Sequence, residues 1–174
     1  MRVVAIFIGV ILLCSCESNN HYRPSDKEKA VNEILAFVSS NLKKEKELIP
    51  FGSGGQTMYQ VKMLALAFQY RNALDIEQGR ELLLESVREF TSTVNADEHI
   101  RNYLSNYPFE AKNVIVEIYI KNPDGTNLES SKLCVIAANE GILEYEIRDP
   151  KTDRLTRIYT ETYEEALQKV SQGK

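Results

Sequence analysis

Between Asn113 and Lys121 the chain alternates strictly, with Val114, Val116, Ile118 and Ile120 on one side and Ile115, Glu117, Tyr119 and Lys121 on the other. Side chains two residues apart share a face only in an extended strand, so this is the clearest strand in the sequence. Further strands are expected at 131–138 and 142–148, joined tightly through Asn139-Glu140-Gly141, and a short one from Leu155 to Tyr159. Asn122-Pro123-Asp124-Gly125 and Asp149-Pro150 carry the residues that turns select.

Elsewhere the apolar period lengthens to that of a helix. Val31, Ile34, Leu35, Val38 and Leu42 fall on one stripe, and Ser25-Asp26-Lys27-Glu28 ahead of them reads as a capping box, so a helix runs from there to about Glu47. Asp75 with Gln78 forms a second box, opening a helix to about Thr93 that buries Ile76, Leu83, Val87, Phe90 and Val94. Asp97 caps a short helix with Ile100 and Leu104, ended by Pro108. Thr160 or Thr162 caps a closing helix with Tyr163, Ala166, Leu167 and Val170 inside.

Two stretches read less simply. Met58 to Tyr70 can alternate as a long strand, although Met, Leu and Ala favour helices. The strand is preferred, because Gly54-Gly55 precede it and a helix cap follows so soon. Gly52-Ser53-Gly54-Gly55 lacks the Lys-Ser or Lys-Thr that a phosphate-binding loop needs after its last glycine, and Gln56-Thr57 stand there instead. Residues 51–57 therefore read as a flexible linker, and a hinge, between an amphipathic helix at 26–50 and the remainder at 58–174. The order of elements predicts an α+β fold, an antiparallel sheet of four to five strands packed against two to four helices on one face.

The N-terminus follows a different rule. Arg2 precedes an unbroken apolar run from Val3 to Leu13, and the run ends in Cys14-Ser15-Cys16 before the polar Glu17-Ser18-Asn19-Asn20. This is the layout of a secretory signal at residues 1–15. A membrane-spanning helix needs about 20 apolar residues, and this run is shorter. Leu13-Cys14-Ser15-Cys16 resembles the lipobox of bacterial lipoproteins. The resemblance implies cleavage after Ser15, acylation of Cys16 and tethering to a membrane. Acylation at Cys14 would place the bulky Leu13 at the cut. Glu17 is not the aspartate that the family links to inner-membrane retention, which favours the outer membrane in a diderm bacterium. Residues 16–25 then form a short tether, reaching about 30 Å at roughly 3.3–3.6 Å per residue.

Charge and cysteine usage narrow the partners. The chain has 21 basic and 25 acidic residues, and the signal removes only Arg2. A mildly acidic domain without a basic block argues against nucleic acid or anionic headgroups as partners. With Cys16 acylated, Cys134 is left alone, so no intrachain disulfide is available. It lies in an apolar run far in sequence from His21 and His99, and reads as a buried, inert thiol.

Catalytic signatures are missing. There is no Gly-x-Ser-x-Gly, His-Glu-x-x-His, Cys-x-x-Cys or dinucleotide fingerprint, and Asp124, Asp149 and Asp153 match no calcium loop. Glu77, Glu81, Glu85 and Glu89 recur every four residues, which is the spacing of a solvated helix face, with Arg80 and Arg88 beside it. Nine tyrosines and no tryptophan are a skewed usage. Tyr119, Tyr145 and Tyr159 lie on three different expected strands, where register would either align them as a partner patch or leave each in routine packing. The expectation is a non-catalytic, membrane-anchored lipoprotein of the cell envelope, binding another envelope protein and carrying no cofactor or metal. The alternative is a small-ligand module with a pocket between the sheet and the helix at 76–93. Substituting Cys16→Ser should release the protein from the membrane fraction of fractionated cells. Retention would overturn the anchor.

Overall fold

The computed structural model describes residues 22–173, so the signal, the acylation site and His21 lie outside it. The chain is α+β. Helix α1 (Asp26–Lys46) leads into strands β1 (Ile49–Gln56) and β2 (Met63–Tyr70), followed by α2 (Ile76–Ala96), a one-turn helix α3 (Glu98–Arg101) and β3 (Val114–Ile120). Strands β4 (Leu133–Asn139), β5 (Ile142–Arg148) and β6 (Leu155–Thr162) then run to a closing helix, α4 (Tyr163–Gln172).

Spatial order in the sheet equals chain order, β1 to β6. Every neighbour is antiparallel except β2 and β3, which are parallel because α2 carries the chain back between them. The β4–β5 turn is tight because Glu140 and Gly141 both take positive φ, 50° and 81°, the conformation a two-residue hairpin requires.

Local sequence explains where the helices start. The Glu28 carboxylate accepts from the Ser25 amide at 2.7 Å while the Ser25 hydroxyl accepts from the Glu28 amide, and Asp75 with Gln78 and Thr162 with Glu165 repeat the device. Helix α1 ends where Glu47 turns left-handed, after Lys43, Lys44 and Lys46 in its last turn.

One face of the sheet carries the core. Leu64, Leu66 and Phe68 of β2, Val114 to Ile120 at alternate positions of β3, and Ile136, Ala138, Leu143 and Tyr145 pack in a single cluster with the buried stripes of α1, α2 and α4. The α1 stripe is Ala30, Val31, Ile34, Leu35, Val38 and Leu42, so this helix belongs to the domain rather than standing apart from it. The opposite face has no helix in contact with it through that cluster. Of its residues, Ala65, Ala67, Ile115, Glu117, Tyr119, Ala137, Glu144 and Glu146 are half-buried, and Met63 and Val135 are buried.

Three sequence expectations change. Residues 51–57 are not a linker or hinge: Ile49–Gln56 pairs with β2 along its length, from Ile49 opposite Gln69 to Gln56 opposite Met63, and makes a sixth strand. Glycine disfavours strands by propensity, but an edge strand paired on one side tolerates it. The strand after it begins at Met63, with Met58–Gln60 forming the exposed hairpin tip instead. In α4, Leu167 is exposed and only Ala166 is fully buried.

Glycines 54 and 55 separate the strand from the linker reading. A Cβ at Gly55 would stand 2.5 Å from the Met63 carbonyl oxygen, whereas one at Gly54 meets nothing within 4 Å. Gly54→Ala should be neutral or stabilise by up to about 1 kcal/mol through the unfolded chain, and Gly55→Ala should destabilise by more than that. Denaturant unfolding of the two variants checks this, and equal effects would return the segment to a linker.

Candidate functional site

Titratable side chains converge beneath the β6 edge. Glu161 points into the core from β6, opposite Leu143, with its side chain 1% exposed. Its Oε1 accepts from Arg80 Nε of α2 and from the Tyr145 hydroxyl of β5, both at 2.7 Å. Its Oε2 accepts from Lys169 Nζ of α4 at 2.7 Å and from the Tyr159 hydroxyl at 3.4 Å. Tyr145 and Tyr159 lie directly opposite each other on β5 and β6, with ring centroids 5.5 Å apart.

Burial alone pushes the Glu161 carboxyl up, but donation from Lys169, Arg80 and Tyr145 outweighs it and holds the group below the ordinary carboxylate value. The same arrangement raises Tyr145, mainly through burial and then through its hydrogen bond to Glu161. Hydrogen bonds to Glu161 and Tyr159 raise Lys169. An ionised carboxylate with four donors around it has its acceptor capacity filled and is a weak base. The cluster therefore ties α2, β5, β6 and α4 together. Among the described residues, no buried side-chain polar atom lacks a hydrogen-bond partner.

This cluster redistributes the residues singled out in the sequence. Tyr145 is fully buried, and with Tyr159 it serves the clamp. Tyr119 lies on the other face of the sheet, in register with Val135 and, across β4, with Glu146, while Tyr145 is in register with Ile136. The three tyrosines do not form one patch. Arg80 leaves the carboxylate stripe for Glu161. Of the stripe itself, Glu77, Glu81 and Glu85 are exposed, Glu85 pairs with Lys46, and Glu89 accepts from Asn41 at 3.0 Å.

The signal for the clamp was present. Arg80 stands four residues after Ile76 and three before Leu83, on the apolar stripe of α2, and a charged residue there needs a buried partner. Glu161 follows Tyr159 by two, so whatever faces Tyr159 inward also turns Glu161 inward.

Other candidates separate in space. Asp124 and Asp149 accept from backbone amides of their own turns, at Thr126 and at Lys151 and Thr152. Among the described residues no group of three His, Cys, Asp or Glu could hold a metal. Cys134 is the extra residue of a bulge in β4, half-buried, with its thiol 3.5 Å from the Glu146 carbonyl oxygen; burial pushes the thiol up and makes it a poor nucleophile. Ser53 is exposed on β1, and His99 is exposed on α3.

The sheet face away from the helices carries an aromatic pair. Phe51, the bulge residue of β1 and 55% exposed, packs edge-on against Tyr119 with centroids 5.4 Å apart. Gly52, Ala67 and Ala137 leave the sheet flat beside this pair. Glu117, Glu144 and Glu146 flank it, with Arg157 bonded to Glu144 at 2.8 Å. The aromatic pair is of the residue types enriched at protein interfaces, whereas the alanines and glutamates around it are not.

No protein-family model matches the chain, and no curated protein or solved structure matches it either.

The clamp predicts a pH profile. Because the folded carboxyl of Glu161 is depressed, its contribution is complete above the unfolded value, about 4.3, and is lost as pH falls through the folded value. Removing the partner with Glu161→Ala should cost about 3–5 kcal/mol by leaving Arg80 buried and unpaired. Urea unfolding from pH 7 down to pH 3 should show a flatter acid limb for Glu161→Gln than for the wild type.

Proposed function

We propose that this chain is a membrane-anchored lipoprotein of the cell envelope whose domain binds another envelope protein without catalysis. The lipobox resemblance at Leu13-Cys14-Ser15-Cys16 supplies the anchor. The observation that carries the binding role is the six-stranded sheet covered on one face only, with Phe51 and Tyr119 paired on the other. A face of half-buried Ala65, Ala67 and Ala137 offers little side-chain entropy to lose and a flat contact area, which suits a protein partner more than a small molecule.

The small-ligand alternative has less behind it. A hollow of about 370 Å³ does lie between α2, β6 and α4, lined by Glu77, Arg80, Glu81, Tyr159 and Lys169. Ligand pockets are mainly apolar with a few free polar groups, and here Arg80 and Lys169 are already engaged by Glu161.

Crosslinking in intact cells, with products identified by mass spectrometry, tests the reading on three forms. The wild type should yield one discrete envelope partner, Cys16→Ser should lose it, and Phe51→Asp should reduce it several-fold while Tm falls by only the few degrees that loss of one half-exposed aromatic pair costs. A clean monomer in all three forms would overturn the binding role.

A further inference from the structure

The exposed apolar side chains are distributed unevenly over the two ends of the sheet. One end comprises the β1–β2 hairpin, the start of β3 and the β4–β5 turn, in register through Leu64 with Val114, Ile115 with Asn139 and Asn139 with Ile142. Of the ten large exposed hydrophobic side chains among the described residues, Tyr22, Met58, Tyr59, Tyr107 and Ile142 lie at this end. The other end is built from Asn122-Pro123-Asp124-Gly125 and Asp149-Pro150-Lys151-Thr152-Asp153, with Leu155 exposed there and Phe51 near it on β1, packed against Tyr119.

Met58 and Tyr59 are the extreme case, at 83% and 88% exposed. Their backbone is held in that position. Lys27 Nζ, in the first turn of α1, donates to the carbonyl oxygens of Thr57 at 2.6 Å, Met58 at 2.8 Å and Tyr59 at 3.4 Å. The ammonium satisfies the carbonyls of the hairpin tip and leaves both side chains directed away from the domain. It also fixes the tip beside the start of α1, where the chain leads back to Cys16.

We propose that the Met58-Tyr59 tip inserts into the headgroup region of the bilayer that carries the Cys16 lipid. The proposal rests on the anchor reading. Five residues separate Cys16 from Tyr22, a reach of about 20 Å at most, and Tyr22 lines one hollow with Thr57 beside the tip, so the lipid and the tip face the same patch of membrane. A methionine and a tyrosine suit that depth, since tyrosine places its ring among acyl chains and its hydroxyl among headgroups. Lys27 at the tip and the Lys112–Glu110 pair before β3 give this end charges of both signs, so the contact relies on the apolar side chains rather than on anionic headgroups. Two contacts, the lipid and the tip, set the orientation of the sheet as well as its distance from the membrane.

The chain has no tryptophan, so a single introduced indole reports its own surroundings. Tyr59→Trp and, at the far end of the sheet, Leu155→Trp are purified as the lipidated full-length protein and reconstituted into phosphatidylcholine vesicles with brominated acyl chains. The indole at position 59 should emit blue-shifted and be quenched several-fold more than the one at position 155. Equal, water-like emission from both positions on floating vesicles would overturn tip insertion and leave the anchor intact. Equal quenching of both would overturn the defined orientation. Failure of either form to float with the vesicles would overturn the anchor, and the proposal with it.

Discussion

Covering one face of the sheet and leaving the other bare is the constraint from which most of the molecule follows. Three helices lay their apolar stripes on Leu64, Leu66, Phe68 and the inward residues of β3, β4 and β5. The strands must therefore alternate, and β3 does so without exception. At roughly 25 cal/mol for each Å² of apolar surface removed from water, burying the stripes of α1 and α2 on the central strands is strongly stabilising. The bare face escapes that demand, which is why it can carry glycine, alanine and glutamate side by side.

Glu161 is the exception on the covered side. A charge placed in that layer is costly unless its partners arrive with it, and here they come from α2, β5 and α4 at once. The clamp is specific in a way that apolar contact is not. A shift of β6 by one residue would turn Glu161 outward and strand Arg80 inside. Register at this edge is thereby tied to electrostatics, while at the β1 edge it is tied to the close approach of Gly55 to Met63.

Much of this was legible from local rules. The capping residues Ser25 and Asp75 and the alternation of β3 placed their elements because caps and periodicity act over a few residues. The glycine-rich β1 escaped the same rules, since its extended form depends on pairing with β2 rather than on its own propensity. The faces taken by Tyr119 and Tyr145 depend on register across three strands, with a bulge at Cys134, and no single strand encodes that. Arg80 could have been found, as a cation on an apolar helical stripe, but its partner lies 81 residues away.

The coincidence of chain order with sheet order bears on how the protein is made. A polypeptide emerging from its N-terminus can add each strand to the edge just completed, and only the α2 crossover must wait for a partner not yet synthesised. Glu161 and Lys169 are synthesised after β1 to β5, and Glu161 supplies the counter-charge to Arg80 of α2. A chain cut short before β6 would hold every other strand and still keep Arg80 without its counter-charge, so completeness of synthesis is itself written into the stability of the fold.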